Sequence, residues 1–119
     1  MKERRRDHRL AQPFQARYRL YGELTESWRT MTTVNLSVSG LRFRSAGLIE
    51  VGDELQIELL LPTSREPLVV RGRIIWSQPM ASGVVENGAE FIDMTPEQGI
   101  QIDTMVKFFL GGHPAPPPS

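Results

Sequence analysis

The sequence has no cysteine and only two histidines among its 119 residues. Without cysteine, the chain cannot form disulfides, a thiolate metal site or a cysteine nucleophile. His8 and His113 lie near opposite ends of the chain, and the sequence shows no Ser-His-Asp order, no paired metal-ligand histidines and no glycine-rich phosphate loop. Catalysis needs several titratable groups that converge on one site. The sequence therefore predicts a protein that is not an enzyme, with no catalytic residue, metal or cofactor.

Long hydrophobic runs and an excess of charge are also absent. No apolar run approaches the roughly 20 residues of a membrane-spanning helix, and no apolar segment follows the basic N-terminus as it would in a secretory signal. Together with the lack of cysteine, these absences predict a cytoplasmic protein without a membrane span. Fourteen Lys and Arg residues balance fourteen Asp and Glu residues. This neutrality disfavours a protein that coats DNA or another nucleic acid with its whole surface.

Positive charge is nevertheless concentrated at the N-terminus. Five of the first nine residues are Lys or Arg and two are Asp or Glu, which leaves a local charge of five minus two, or +3. Arg5 and Arg9 form an R-x-x-x-R pattern within this segment. Guanidinium is planar, permanently charged and forked, so it can pair bidentately with a phosphate or with the O6/N7 edge of guanine. The segment predicts a site for a small anionic ligand, and a solvated terminus is the alternative.

Apolar and polar residues alternate over most of the chain, which is typical of half-buried β-strands. The alternation starts at Phe14 and recurs in five further segments, and turn residues lie between these segments. Six short strands with turns between them favour a small closed antiparallel barrel, because closure removes exposed sheet edges. On the fifth strand, the alternation places Trp76 on the inward face as a core residue, and Arg71 and Arg73 on the outward face as solvated cations.

A helix is predicted after the last strand. Thr95 can cap it, Pro96 fits its first position, and apolar residues then follow at helical spacing until two glycines. The predicted fold class is all-β with a terminal helix. Its parts are a flexible basic segment over residues 1–13, a β-barrel over residues 14–94, a C-terminal helix over residues 95–110 and a disordered proline-rich tail over residues 111–119.

A second motif stands where the second predicted strand ends and the third begins. Asn35, Ser37 and Gly40 form the pattern N-x-S-x-x-G. Asn and Ser carry short side chains that can hydrogen-bond their own backbone or the polar edge of a ligand, and Gly permits positive φ and a close backbone approach. Asn35 and Ser37 share strand parity, so we expect both side chains on one face. An ordinary Asx or Ser turn is the alternative that this motif leaves open.

In combination, these motifs resemble the PilZ domain, a bacterial receptor module for cyclic di-GMP (c-di-GMP). The sequence RRDHR at residues 5–9 is similar to the basic segment that opens the family, and NLSVSG at residues 35–40 is similar to its [DN]-x-S-x-x-G hairpin. The resemblance covers roughly residues 3–110, and it implies a six-stranded barrel with the arginine segment folded across its outside. Later segments that resemble the family's strands are VGDELQIELLLP, VRGRIIWS and NGAEFIDM.

The resemblance also implies which residues bind c-di-GMP. In this family the arginines take the guanine edges and phosphates, and the hairpin Asn or Asp and the Ser contact guanine. Arg4 precedes the basic motif, as in family members that bind an intercalated dimer of the ligand, so we expect that form. Asn35 stands where Asp is commoner and Ser39 where a second glycine is common, and neither change breaks the motif. Carried over to this chain, the family's ligand-binding roles fall to Arg5, Arg9, Asn35, Ser37 and Gly40.

The resemblance implies a receptor or adaptor that acts through an unknown effector protein. We expect the ligand to order the arginine segment on the barrel and so to create a surface for that partner. One alternative is a PilZ-like adaptor that binds proteins but no nucleotide, which the intact motifs disfavour. Another is a barrel that binds single-stranded nucleic acid, which needs several exposed aromatic residues. In the first strand segment, only Tyr21 is an aromatic residue on the predicted outward face.

Overall fold

The computed structural model describes residues 15–22, 27–61 and 65–110 of the chain. The predicted arginine segment and the predicted proline-rich tail lie outside the described residues. No helix among the described residues has the length and apolarity that crossing a membrane requires. The elements are β1 (Gln15–Leu20), β2 (Arg29–Leu36), β3 (Gly40–Ser45), β4 (Glu54–Leu59), β5 (Leu68–Pro79), a 3-10 turn (Ala81–Gly83), β6 (Val85–Ile92) and α1 (Pro96–Leu110).

The six strands close into an antiparallel barrel with the order β1-β2-β3-β6-β5-β4. Closure occurs where β1 pairs with β4, in a register that runs from Ala16 opposite Leu59 to Leu20 opposite Leu55. Each of the described strands then has a hydrogen-bonded neighbour on both sides, which protects it from pairing with other chains. This six-stranded barrel with a C-terminal helix confirms the predicted fold class.

The alternating apolar side chains point into the barrel and form its core. Tyr18 of β1 and Phe43 of β3 are almost fully buried, and their ring centres lie 5.9 Å apart. Burying one large apolar side chain stabilises a fold by about 1.5–3 kcal/mol. Helix α1 adds its own apolar face to the same cluster. The other hydrophobic side chains with less than 2% exposure are Leu36, Leu55, Ile57, Leu59 and Ile74 from the strands, and Ile102, Met105 and Val106 from α1.

Helix α1 is anchored to the barrel at its first turn. The Thr95 hydroxyl accepts a hydrogen bond from the Gln98 amide at 3.2 Å, and the Gln98 side-chain oxygen accepts one from the Thr95 amide at 3.1 Å, which together form a capping box. The Gln98 side chain also donates to the Val69 carbonyl oxygen of β5 at 2.9 Å. A Cβ at Gly99 would lie 3.6 Å from Val38. The helix start therefore rests against the β2–β3 turn, which carries the N-x-S-x-x-G motif.

Trp76 does not lie in the core, and the prediction for it was wrong because β5 carries a bulge. The register between β5 and β6 shifts so that Ile74 lies opposite Ala89 and Trp76 lies opposite Gly88. A bulge inserts one extra residue on one strand and so reverses the alternation of its side chains. As a result Ile75 and Trp76 are both exposed, the tryptophan by 36%.

Arg71 and Arg73 face outward as predicted. Both form ion pairs with carboxylates, however, and are not the unpaired solvated cations that the sequence predicts. The Arg71 Nε donates to Glu54 Oε1 at 3.1 Å, and its Nη1 lies 3.0 Å from Asp93 Oδ2. Arg73 lies 3.5 Å from a carboxylate oxygen of Glu54 and 3.3 Å from one of Glu90. The strand register places Arg73 between Glu54 of β4 and Glu90 of β6, so carboxylates flank it on both sides.

Candidate ligand-binding site

An open cleft of about 470 Å³ lies on the outer face of the barrel, beside the turn between β2 and β3. The cleft extends from this turn across β3 and β6 to β5. Its volume falls within the range of roughly 300–1,000 Å³ that is common for small-molecule sites, and a few polar groups converge on it. The lining includes Asn35, Ser37, Gly40, Arg42, Trp76 and Glu90.

Strand register explains how these side chains come together. Asn35 of β2 lies opposite Arg42 of β3. Arg42 in turn lies opposite Gly88 of β6, and Gly88 lies opposite Trp76 of β5. Directly opposed residues on neighbouring strands stand about 5 Å apart on one face of a sheet, so these four residues form a transverse row. Because glycine has no side chain, Gly88 leaves room for a neighbouring side chain on this face of β6.

The Trp76 indole lies directly over Gly88. A Cβ atom at position 88 would lie 2.1 Å from Nε1 and 2.5 Å from Cε2 of the indole, far inside van der Waals contact. Glycine therefore allows the ring to rest on the β6 backbone. The Arg42 guanidinium carbon lies 5.7 Å from the ring centre, within the range of a cation–π contact. In this position Trp76 borders the cleft with an exposed aromatic surface.

The N-x-S-x-x-G motif forms the turn at the other end of the cleft. The Ser37 amide donates to the Gly40 carbonyl oxygen at 2.9 Å, which closes the turn. The Ser37 hydroxyl lies 3.1 Å from the Ser39 hydroxyl and accepts a hydrogen bond from the Ser39 amide at 3.3 Å. Ser37 is only 1% exposed, whereas Asn35 is half-buried. Ser37 therefore shapes the turn from inside, and Asn35 is the more accessible of the two.

Close packing, and not a special backbone torsion, requires Gly40. A Cβ there would lie 2.3 Å from the Ala89 carbonyl oxygen of β6, and Gly40 is not among the described glycines with positive φ. Next to it, the Phe91 amide donates to the Ser39 carbonyl oxygen at 3.0 Å. These contacts hold the turn against β6. Ser39 is likewise not among the described residues with positive φ, so a serine in place of a second glycine adds no backbone strain of this kind.

The charged side chains that line the described part of the cleft are Arg42 and Glu90. The Arg42 Nε donates to Glu86 Oε2 at 2.9 Å, and the Arg73 Nη1 donates to Glu90 Oε2 at 3.3 Å. One cation and one anion offset each other, so this lining adds no net positive charge. A ligand with several negative charges would therefore need cations from elsewhere in the chain.

Glu54 and Arg71 form a separate ion pair on β4 and β5. The hydrogen bond from Arg71 lowers the pKa of Glu54 below its ordinary value, and Arg73 acts in the same direction. Conversely, the hydrogen bond to Glu54 raises the pKa of Arg71. The Arg71 guanidinium carbon also lies 4.0 Å from the centre of the Tyr21 ring. These partners hold Arg71 on the barrel surface, and it is not among the residues that line the cleft.

The structure brings some of the predicted ligand residues to one cleft, namely Asn35, Ser37 and Gly40. The predicted arginines lie outside the described residues: Arg4, Arg5 and Arg9. Within the part of the chain that the structure describes, no cluster of three or more His, Asp or Glu side chains is arranged to hold a metal ion. The cleft combines hydrogen-bonding groups with an aromatic surface, an arrangement that suits a planar ring with polar edges.

Sequence reasoning missed several residues of the cleft. The adjacent apolar residues Ile74 and Ile75 break the alternation, and this signal could have indicated the bulge that turns Trp76 outward. Gly88 inside a strand could have indicated a close approach by another group. Glu90 offered no such signal, because its place beside the turn depends on the pairing of β3 with β6.

Several solved structures share the fold of this chain. MotI/DgrA, the inhibitor of motility from Bacillus subtilis, is similar with a TM-score of 0.74 at 15% identity, over 92% of this chain and 53% of its own. The PilZ domain of YcgR from Escherichia coli, solved with c-di-GMP, has a TM-score of 0.68 at 16% identity, over 92% of this chain and 93% of its own. For the PilZ domain of CeSA from a cellulose-synthesizing bacterium, the TM-score is 0.58 at 17% identity, over 88% of this chain and 96% of its own.

At these identities, the likeness to the solved structures establishes the fold alone. This chain spans about half the length of the MotI/DgrA chain that it matches. Among curated proteins, no sequence matches it significantly. A family model of the PilZ domain matches residues 3–108, a range that includes both the R-x-x-x-R pattern and the N-x-S-x-x-G turn. This chain therefore belongs to the PilZ domain family, as its motifs predicted.

Proposed function

We propose that this chain is a c-di-GMP receptor, which binds the dinucleotide in the cleft beside the β2–β3 turn and signals to a protein partner without catalysing a reaction. The observation that carries the proposal is the convergence of Asn35, Ser37 and Gly40 with the exposed Trp76 in one cleft. The YcgR domain solved with c-di-GMP has a similar fold over 92% of this chain, which supports the choice of ligand.

The cleft offers the groups that a guanine base requires. The Asn35 amide carries N–H donors, so it can donate a hydrogen bond to the O6 acceptor of guanine. Trp76 presents an aromatic face on which a base can stack, and such a contact contributes about 1–3 kcal/mol per base. Ser37 holds the turn through Ser39, and its hydroxyl has capacity for one further hydrogen bond. Gly40 keeps the turn close to β6 beside the base.

The N-terminal arginines complete the site in this proposal. Arg42 and Glu90 offset each other in the described lining, so the two phosphates of c-di-GMP need further cations. We assign this role to Arg5 and Arg9, whose segment (residues 1–9) carries five basic and two acidic residues and so a local charge of +3. The ligand then orders the segment over the cleft and creates a surface for the effector protein. Arg4, which precedes the motif, favours an intercalated ligand dimer and therefore two ligands per chain.

Isothermal titration with c-di-GMP tests the proposal. The wild-type protein should bind c-di-GMP saturably. If Arg9 makes a bidentate guanine contact, Arg9→Ala should weaken the binding free energy for c-di-GMP by about 1–3 kcal/mol or more. Arg29→Ala is the matched control, because Arg29 is exposed at the end of β2 that is remote from Asn35. No binding by the wild-type protein, confirmed by a second method, would contradict the proposal and favour the adaptor that binds no nucleotide.

Two further measurements address the arginine segment. Arg5→Ala and Arg9→Ala should couple, so that the double variant loses an amount different from the sum of the single losses, because both side chains contact one ligand. A double variant with wild-type affinity would remove both arginines from the site. Ordering of the segment should also reduce protease cleavage within residues 1–13 when c-di-GMP is saturating. Unchanged cleavage would contradict the ordering, even where binding is observed.

A further inference from the structure

We propose that Glu90 reads the Watson–Crick edge of guanine in this cleft and thereby sets its preference for guanine over other purines. The inference rests on the proposed function, because it requires a guanine-containing ligand in the cleft. Asn35, the motif residue with the more accessible side chain, is neutral, whereas Glu90 is an anionic side chain in the described lining. The acceptor for the guanine N–H groups is therefore assigned to β6 and not to the motif.

Glu90 stands next to the turn that carries the N-x-S-x-x-G motif. It lies directly opposite Gly40 in the pairing of β3 with β6, so the residue facing it on β3 adds no side chain beside the carboxylate. The Phe91 amide donates to the Ser39 carbonyl oxygen at 3.0 Å, which fixes the distance between β6 and the turn. Glu90 and Asn35 consequently line the same cleft from its two sides.

Arg73 orients the carboxylate without enclosing it. The Arg73 Nη1 lies 3.3 Å from Glu90 Oε2, and the Glu90 side chain retains 44% exposure. A carboxylate has about four lone-pair positions, so one long ion pair leaves acceptor capacity for a ligand. Arg73 also contacts Glu54 at 3.5 Å and is therefore shared between two carboxylates. Arg73 therefore offsets the negative charge of Glu90 only in part, and the carboxylate still presents an anionic acceptor to the cleft.

The chemistry of guanine matches such an acceptor. Guanine places its N1–H and N2–H donors side by side, and one carboxylate accepts both in a bidentate, charge-assisted pair. Adenine presents an unprotonated N1 at the same place, which would face the lone pairs of the carboxylate. Hypoxanthine keeps the N1–H but lacks the amino group at N2. A site built to pair with both donors rejects bases that lack them, because its own polar group is then left without a partner.

The test compares c-di-GMP, cyclic di-IMP and cyclic di-AMP by isothermal titration on the wild-type protein, Glu90→Gln and Glu58→Gln. Glu58→Gln is the matched control, because it removes a carboxylate that pairs with Arg17 on the surface of β4, outside the cleft. We expect the wild-type protein to prefer c-di-GMP about tenfold over cyclic di-IMP and about a hundredfold over cyclic di-AMP. Both ratios should fall towards one in Glu90→Gln and stay at the wild-type values in Glu58→Gln.

The outcomes separate this inference from the proposed function. If the wild-type protein binds c-di-GMP and Glu90→Gln keeps both ratios, Glu90 serves only its ion pair with Arg73 and the inference is wrong. An equal rise in affinity for all three ligands would also overturn it, because the carboxylate would then act only by repelling phosphate. No c-di-GMP binding by the wild-type protein would overturn the proposed function as well. Thermal unfolding checks each variant, and if Glu90→Gln does not fold, Glu90→Asp should weaken c-di-GMP binding and retain the order of preference.

Discussion

Replacing Gly88 by alanine is expected to displace the Trp76 indole and to weaken c-di-GMP binding while the barrel stays folded. The added Cβ would lie 2.1 Å from Nε1 and 2.5 Å from Cε2 of the indole, whereas unstrained contacts between carbon atoms are about 3.5–4.0 Å. The ring must therefore move by more than about 1 Å. Because Trp76 lies on the surface and is 36% exposed, it can rotate into solvent.

The two effects of Gly88→Ala differ in size. A surface side chain that can move aside keeps the loss in free energy of unfolding near about 1 kcal/mol, at the lower end of the cost of overpacking. If a base stacks on Trp76 as proposed, binding loses this contact, and such a contact contributes about 1–3 kcal/mol. Since 1.4 kcal/mol corresponds to a tenfold change in affinity, the dissociation constant for c-di-GMP should rise about 5-fold to 150-fold.

Isothermal titration measures the affinity of Gly88→Ala, and chemical denaturation measures its stability. Gly47→Ala is the matched control, because a Cβ at Gly47 would meet no atom within 4 Å and Gly47 is not among the described glycines with positive φ. This control should keep the wild-type affinity. If Gly88 acts through Trp76, then Gly88→Ala should cause no further loss of affinity in a Trp76→Ala background.

Wild-type affinity in Gly88→Ala would refute the assignment of Trp76 as the stacking surface of the cleft. An equally large loss in the Trp76→Ala background would instead place the effect in the β6 backbone. Both results would leave the assignment of the fold unchanged, and the first would require a different surface for the base.

Two further predictions concern stability. Gly40→Ala should lower the free energy of unfolding by about 1–3 kcal/mol or more, because its Cβ would lie 2.3 Å from a backbone oxygen of β6 that cannot move aside; an unchanged denaturation midpoint would contradict this packing. Arg71 lowers the pKa of Glu54 in the folded state. This pair therefore stabilises the protein at pH values above 4.5, the ordinary pKa of the carboxyl group, and the stabilisation is lost as the pH falls through the folded-state pKa. Between about pH 6 and about pH 3, the free energy of unfolding should fall more steeply in the wild-type protein than in Glu54→Gln, and parallel curves would count against the pair.

The barrel could be predicted from the sequence because its signals are local. Alternating residues such as Ala16 and Tyr18 reveal a strand with one buried face, and the Thr95–Gln98 capping box reveals the start of the helix. The N-x-S-x-x-G turn is equally local, since the atoms that close it belong to Ser37, Ser39 and Gly40. Each of these features can be recognised within a few consecutive residues.

The rest of the cleft depends on which strands become neighbours. Arg42, Gly88 and Trp76 form one row only because β6 lies between β3 and β5, an order that no pattern along the chain encodes. Strict alternation predicts Trp76 in the core because it assumes an unbroken ladder, and the bulge after Ile74 breaks that ladder. In the sequence, Glu90 looks like an ordinary outward residue. Its place beside the turn follows only from the pairing of β3 with β6, which puts Gly40 opposite it.

An NMR titration of the labelled protein with c-di-GMP tests the central claim most directly. The chain has two tryptophans, so two indole N–H signals report on two places: Trp76 in the cleft, and Trp28, whose ring lies 4.9 and 4.4 Å from the guanidinium carbons of Arg17 and Arg19. We predict saturable shifts of the Trp76 indole and of the amides of Ser37–Gly40, with the Trp28 indole unchanged. At saturating c-di-GMP, signals of Trp76 and of this turn that do not move would contradict binding in the cleft.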